Sequence, residues 1–205
     1  MTDNLALYVV ASLALILTPG QDMIYVIGRS LAQGRVAGLC SAIGVIIGIL
    51  VHTALAAIGV GAILQASETL FTALKLVGAA YLVYLGVRMM LTREVVIDAR
   101  MDGDPASRMK LVLQGVLSNV TNPKIILFFF AFLPQFVDPA SAHPTRDLVA
   151  LGVLYALLGL PVKCGVALIA ARLSERMRRT PAALAWMNRA CGAILVALGV
   201  RLARG

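Results

Sequence analysis

Charged residues are scarce in this chain. They make up 14% of its 205 residues, against roughly 25% in soluble domains, while apolar residues make up 60%. So few polar groups could not cover the surface of a soluble fold of this size. The composition therefore excludes a soluble enzyme, a disordered chain and a free nucleic-acid-binding protein.

Cysteine and metal-ligand patterns are also nearly absent. The three cysteines form no C-x-x-C pair, and no histidine lies at metal-binding spacing from them. We expect buried thiols, and the sequence predicts no metal site and no cofactor. The N-terminus lacks the basic region of a signal peptide, so the first apolar run is predicted to be a retained span.

Long apolar runs are what the sequence does contain. A membrane helix needs roughly 20 mostly apolar residues. Six runs qualify, at residues 4–21, 36–67, 69–87, 111–137, 148–171 and 185–203. The sequence therefore predicts an all-α membrane protein with six transmembrane helices in a single transmembrane domain over residues 1–205.

Lysine and arginine are distributed unevenly between the loops. The loops after the first, third and fifth predicted helices carry Arg29, Arg35, Arg88, Arg93, Arg100, Arg108, Lys110, Arg172, Arg176, Arg178, Arg179 and Arg189. The opposite side carries Arg146, Arg201 and Arg204. Because basic loops stay inside, this 12:3 bias predicts a multi-pass protein of the cytoplasmic (inner) membrane with both termini outside. This topology accounts for the net charge of +8, so the charge does not indicate a nucleic-acid partner.

The two halves of the chain resemble each other. The tetrapeptide LGVR occurs at residues 85–88 and again at 198–201. Three predicted helices lie on each side of a polar loop at residues 92–110, which gives repeat 1 at about 1–91 and repeat 2 at about 111–205. Since three helices per half make the halves cross the membrane in opposite senses, we expect two inverted three-helix repeats, an arrangement found in many secondary transporters.

Each half is interrupted by a proline within its first helix. The first break lies at residues 18–20 (Thr-Pro-Gly), and the second break lies at residues 122–124 (Asn-Pro-Lys). Proline removes a backbone donor, and in lipid the freed groups must face protein or a water-filled cavity. Because the two helices enter from opposite sides, the breaks are predicted to meet near the midplane and to bind the substrate.

Polar residues surround both breaks. The predicted binding and translocation residues are Thr18, Pro19, Gly20, Gln21, Asp22, Asn119, Asn122, Pro123 and Lys124. A lysine at this depth normally faces a partner or a cavity, and Asp22 is the candidate partner of Lys124. The alternatives are that Pro19 merely ends or kinks its helix and that Lys124 snorkels to the membrane surface.

Two further titratable residues lie inside apolar runs. His52 lies near the centre of the second predicted helix and is the one side chain there that changes charge near neutral pH, so it and Asp22 are candidates for proton coupling. A neutral histidine bonded to a carbonyl explains His52 equally well. Lys163 follows Pro161 and is predicted to line the cavity, with snorkelling as the alternative.

Small and aromatic residues suggest packing sites. Gly44 and Gly48 form a GxxxG pair that predicts a close helix contact, either within one chain or between two copies in a homodimer. We expect the aromatic anchors at the membrane interface to be Tyr8, Tyr25, Tyr155 and Trp186. The phenylalanines after the second break are expected to pack in the protein or face lipid.

The sequences at both breaks resemble the signatures of a known protein family. The stretch TPGQD at residues 18–22 resembles the TPGP(D/N) signature of the LysE/RhtB family of amino-acid exporters, and NPK followed by LFFFAFLPQF is similar to that family's second signature. Gln21 departs from the first signature, where the family usually has proline. The resemblance implies an inner-membrane carrier, with no enzymatic activity, that exports an amino acid or a close derivative in exchange for protons.

Other functions fit the residues less well. A membrane electron carrier for thiols would need a cysteine at each break, but Thr18 and Asn122 occupy those places. An exporter of metal ions or another small solute is the main alternative. A metal exporter would want several buried carboxylates, and Asp22 is the single one near a break.

Overall fold

A computed structural model describes residues 2–66, 68–91, 106–138, 141–172 and 181–204, and the regular structure in these ranges is entirely helical. The helices are α1 (Thr2–Leu17), α2 (Gln21–Ala66), α3 (Glu68–Leu91), α4 (Arg108–Val120), α5 (Pro123–Leu127), α6 (Pro144–Arg172) and α7 (Pro181–Arg204). A π-helical turn (Phe128–Phe132) and a 3-10 turn (Leu133–Phe136) continue α5. The predicted all-α class is therefore confirmed. Of the predicted polar loop, residues 92–105 lie outside the described ranges.

Two described helices are long and apolar enough to cross a membrane, Gln21–Gly59 and Pro144–Arg172. A third span exists if the pair Arg108–Val120 and Pro123–Phe136, bent by 53°, counts as one. Shorter apolar helices cover Leu5–Leu17, Leu76–Leu91 and Gly192–Arg201. The six-span count therefore stays a prediction.

The first predicted span, at residues 4–21, is shorter in the structure than expected. Its helix ends at Leu17, and the chain resumes as α2 after the first break. A second interruption lies inside α2 at Gly34, whose φ of 81° and ψ of −177° are a conformation essentially restricted to glycine. This glycine separates a helical segment at residues 21–33 from the long helix at residues 35–66.

Several arginines assigned to loops lie on helices instead, and Arg29 and Arg189 lie within them rather than at their ends. Arg29 is on the helical segment 21–33, where its guanidinium group lies 5.7 Å from the centre of the Tyr25 ring and donates to Gln114 Oε1 at 2.9 Å. Arg189 is on α7 and is exposed. Counting uncharged runs placed Arg29 outside a helix, because an arginine within a helix can lay its apolar stem along its neighbours while its charged end finds a partner. Arg189 lies inside the predicted run at residues 185–203.

The second break has the predicted position. α4 ends at Val120, and α5 begins at Pro123, where a missing N–H costs nothing because the first helical residue has no acceptor for it. Asn122 caps α5, since its Oδ1 accepts from the backbone N–H of Lys124 at 3.1 Å. Local residue chemistry thus creates this break.

Glycines allow the closest helix contacts. α2 packs against α4 and α6, and α3 packs against α7. A Cβ atom on Gly44 would lie 2.2 Å from the backbone oxygen of Val112, and one on Gly86 would lie 2.5 Å from the oxygen of Gly192. The GxxxG contact is therefore made within the chain, between α2 and α4.

Two tyrosines expected at the membrane interface lie in the core instead. Tyr8 is fully buried and donates to the Leu151 backbone oxygen at 2.6 Å, so the carbonyl satisfies its hydroxyl. Tyr155 is buried against Phe128 and Phe129, with ring centroids 4.8 and 5.5 Å apart. The side chain of Trp186 lies outside the described residues.

Contacts between distant segments define two ends of the molecule. At one end, the Tyr8 ring lies 5.1 Å from that of Phe136 and its hydroxyl binds Leu151, so the beginnings of α1 and α6 are neighbours. At the other end, the Ala106 N–H donates to Gln33 Oε1 at 3.3 Å. The turn at Gly34 and the beginning of α4 therefore share that opposite end.

Candidate functional site

The two breaks contact each other. Asn122 Nδ2 donates to Asp22 Oδ1 at 3.3 Å, and both side chains are buried. At the exposed edge, Gln21 Nε2 lies 3.5 Å from Thr121 Oγ1. The structure thus brings together the two segments that were predicted to meet from their proline positions.

Asp22 is the buried carboxylate of this junction, with 1% of its surface exposed. It lies in the first turn of α2, where the helix dipole favours a negative charge. Its Oδ2 is 3.0 Å from Nζ of Lys163 on α6. Lys163 is therefore the cation in direct contact with Asp22, and Lys124, the predicted partner, adds a Coulombic attraction to the same carboxylate.

The packing of α6 explains this pairing. Lys163, Ala167 and Ala170 are spaced so that they share one face of the helix, and all three are buried. Ala170 packs with Met23 and Ile27 of the segment 21–33. That register brings Lys163 opposite Asp22, at the beginning of the same segment.

Lys124 holds the end of α1. Its Nζ donates to the backbone oxygens of Leu15 and Thr18, both at 3.1 Å, and 5% of its surface is exposed. The last turn of a helix has no intrahelical donors for its carbonyls, and a lysine can satisfy them. Gly20 leaves the necessary room, because a Cβ atom there would lie 2.9 Å from Nζ. Snorkelling to the surface is not the conformation observed.

The remaining residues of the breaks shape the backbone or lie at the edge. The Thr18 hydroxyl is buried and turned back along α1, donating to the Ala14 oxygen at 2.7 Å. Pro19 and Gly20 form the non-helical connection, and α2 begins with the Ile24 N–H donating to the Gly20 oxygen at 2.9 Å. Gln21 and Pro123 are exposed.

His52 lies against the second break, which its position in the sequence did not indicate. Its Nε2 is 3.2 Å from the backbone oxygen of Asn119, and this oxygen also accepts the Asn122 N–H at 3.0 Å. A carbonyl can only accept, so Nε2 carries the hydrogen and Nδ1 of the neutral ring is left as an acceptor. Within the described chain, Nδ1 has no hydrogen-bond partner.

The Asn119 side chain forms a second buried polar group beside His52. It is fully buried, and neither its Oδ1 nor its Nδ2 has a partner among the residues described. Gly48 provides its space, because a Cβ atom there would lie 2.7 Å from that of Asn119. Buried amides are normally hydrogen-bonded, so this one marks a place suited to a water molecule or a polar ligand.

The described residues contain no group of three or more His, Cys, Asp or Glu side chains arranged to hold a metal ion. The junction instead combines one carboxylate, two ammonium groups and several amide groups. Such a set can bind an organic ligand that carries both charges.

Comparison with known proteins gives a consistent result. The family model described as LysE type translocator matches residues 13–205. An uncharacterized membrane protein of Vibrio cholerae is 35% identical over 196 residues, covering 96% of this chain and 94% of the relative. The homoserine/homoserine lactone efflux protein of Salmonella typhimurium is 31% identical over the same length, with 96% and 94% covered.

A leucine efflux protein of Klebsiella pneumoniae is 30% identical over 160 residues, covering 78% of this chain and 72% of the relative. No solved structure matches the chain. The family model covers both breaks, and the relatives named after an efflux function align with most of this sequence. The chain is therefore a membrane protein that belongs to the family of LysE-type translocators.

Proposed function

We propose that this protein exports an amino acid or a close derivative across the cytoplasmic membrane in exchange for protons, and that it binds the substrate where the two breaks meet. The observation that carries the proposal is the buried Asp22 carboxylate, which lies at the first break and is held by Asn122 and Lys163 from the second half of the chain. Efflux proteins for homoserine and leucine among the relatives support the substrate class.

The proposed architecture is six spans in two inverted repeats, at about residues 1–91 and 111–205. Its support is that corresponding helices pair, α2 with α6 and α3 with α7, and that each half begins with a broken helix. Transporters of this kind bind substrate at the interface between repeats, and one half rocks against the other. Since Asp22 bridges the halves, its contacts would be remade in every cycle.

The broken helices also supply binding groups of their own. α2 begins at the junction, and the N-terminus of a helix presents N–H groups and a positive dipole end to an anion, whereas the first N–H groups of α5 are already bound by Asn122. The C-terminal end of α1 presents carbonyl oxygens, two of which bind Lys124. A carboxylate and an ammonium group would therefore find complementary partners within this small volume.

Export of a metal ion is the weaker alternative. It would require a cluster of ligands, and among the residues that the structure describes Asp22 is the one carboxylate buried at the junction. No specific observation favours a metal as the substrate.

Efflux from loaded proteoliposomes tests the proposed function. Vesicles containing the purified protein would be filled with a panel of labelled amino acids that includes homoserine and leucine, with and without an imposed pH gradient. We expect at least one amino acid to leave faster than from protein-free vesicles, and the gradient to accelerate its efflux. Asp22→Asn should reach the membrane and lose this efflux. Absence of efflux for the whole panel would contradict the proposal.

His52 is proposed to couple transport to protons, because it contacts the second break through Asn119 and its Nδ1 is an available acceptor. His52→Gln keeps a donor for the carbonyl but cannot titrate. We expect it to exchange labelled for unlabelled amino acid at equal concentrations, and to fail to concentrate the substrate when only a proton gradient drives transport. Continued uphill transport would assign His52 a purely structural hydrogen bond.

A further inference from the structure

The two lysines at the junction differ in how fully their donors are used. Lys124 donates to two backbone oxygens. Lys163 is equally deep, with 2% of its surface exposed, and its Nζ lies 3.0 Å from Asp22 Oδ2. Apart from that contact, Nζ finds no hydrogen-bond acceptor in the ranges described. An ammonium group has three donors, so Lys163 is the cation with binding capacity left beside Asp22.

Asp22 and Lys163 form an electrically balanced pair inside the protein. Separating them would strand two buried charges, which is strongly unfavourable unless each charge receives a new partner. A ligand that enters between them must therefore bring a positive group to Asp22 and a negative group to Lys163. The zwitterionic head of a free amino acid has both groups, on adjacent atoms.

We propose that the Asp22–Lys163 ion pair opens to receive the zwitterionic head of the substrate, with the α-ammonium group on Asp22 and the α-carboxylate on Lys163. This inference rests on the proposed function and adds the chemical class that the site selects, namely amino acids with both groups free. The charges balance before and after binding. Asn122 stays beside the other oxygen of Asp22 and orients the carboxylate.

The pairing makes a specific prediction about analogues. An amino-acid amide keeps the ammonium group but leaves Lys163 without a counter-ion, and a deaminated acid leaves Asp22 without one. The wild-type protein should therefore prefer leucine to leucinamide and to 4-methylpentanoate, and homoserine to its amide. We expect the preference to be about tenfold or more, because a site built for a polar group rejects analogues that lack it.

Removal of the Lys163 charge should reverse this order. In Lys163→Met the site keeps the Asp22 carboxylate and loses the carboxylate-binding group, so leucinamide should bind better than leucine. Ligand-induced thermal stabilisation of the purified protein in detergent measures this without requiring transport. Lys110→Met is the matched control, because Lys110 is exposed at the beginning of α4, and it should keep the wild-type order.

A second variant keeps the test decisive if Lys163→Met does not fold around its unpaired carboxylate. Asp22→Asn combined with Lys163→Met leaves no unpaired charge from this pair, and it should bind leucine, leucinamide and 4-methylpentanoate with similar, weak affinities. If either variant retains the wild-type preference for leucine, the ion-pair proposal is overturned. If the wild-type protein moves no amino acid in the efflux panel, the proposed function fails instead, so the two failures are distinguishable.

Discussion

At the scale of single residues, Lys124 performs a task that the sequence did not indicate. Its ammonium group binds two carbonyls at the end of α1, so it joins the second break to the first through the backbone. The residue types near a break contain no information on this choice, because a carboxylate and a helix end are both acceptors. The three-dimensional course of α1 decides between them.

Lys124→Met is expected to lower the free energy of unfolding. Two hydrogen bonds from a charged group would be lost and two carbonyls left without a donor, which should cost about 2 kcal/mol. Unfolding of the purified protein in mixed detergent measures the change, with Lys110→Met as the control for loss of an exposed charge. Equal stability of the two variants would show that the contacts of Lys124 with α1 contribute nothing.

The pairing of Asp22 shows what sequence reasoning can and cannot determine at this scale. That a buried carboxylate near a break needs a cation follows from solvation alone, and both candidate lysines are recognisable as charges within apolar runs. The choice of Lys163 depends on the register between α6 and the segment 21–33. That register is set by the packing of small residues such as Ala167 and Ala170, and no local pattern encodes it.

At the scale of elements, the breaks were predictable and the turn at Gly34 was not. A proline interrupts a helix by its own covalent structure, whatever surrounds it. Glycine only permits a turn, and Gly34 is one of 18 glycines in the chain. The charge of Arg29 also led to the prediction of a loop where the structure has the helical segment 21–33. The hydrogen bond from Arg29 to Gln114 holds this segment beside α4.

Gly34→Ala is expected to destabilise the protein by about 1–3 kcal/mol, because its backbone conformation is strained for any residue with a Cβ atom. No atom lies within 4 Å of a Cβ built there, so the cost is conformational and involves no clash. Gly165→Ala is the matched control, since it has equally open space but lies within α6.

The control should have the opposite sign, because alanine is favoured over glycine by up to about 1 kcal/mol inside a helix. The same unfolding measurement compares both variants with the wild-type protein. A Gly34→Ala variant as stable as Gly165→Ala would mean that the turn between the two parts of α2 is not fixed in the folded protein.

At the scale of the whole molecule, the contacts show which segments share an end. The beginnings of α1 and α6 lie at one end, and the turn at Gly34 and the beginning of α4 lie at the other. Arg35, Arg108 and Lys110, which the sequence assigns to cytoplasmic loops, belong to this second end. The distribution of charge and the packing of the helices therefore agree on which segments share a side.

Cysteine labelling tests the orientation. In a background without native cysteines, Asp3→Cys and Arg204→Cys should react with an impermeant reagent in intact spheroplasts, because the proposed topology places the basic loops at the opposite end, in the cytoplasm. Arg35→Cys is the internal control and should react only after lysis, since it is exposed beside the turn at Gly34. The reverse labelling pattern would invert the proposed topology.

The bridge from Asp22 to the second half also has a consequence for biosynthesis. Asn122 follows 100 residues later in the chain, and Lys163 later still. At a synthesis rate of about 5–20 residues per second, the carboxylate waits roughly 5–20 s for its first partner from the second half. During that interval the newly made first half has to keep Asp22 at the bilayer surface or against the insertion machinery. Correct assembly of the transporter is thus completed only when the ribosome has finished most of the second half.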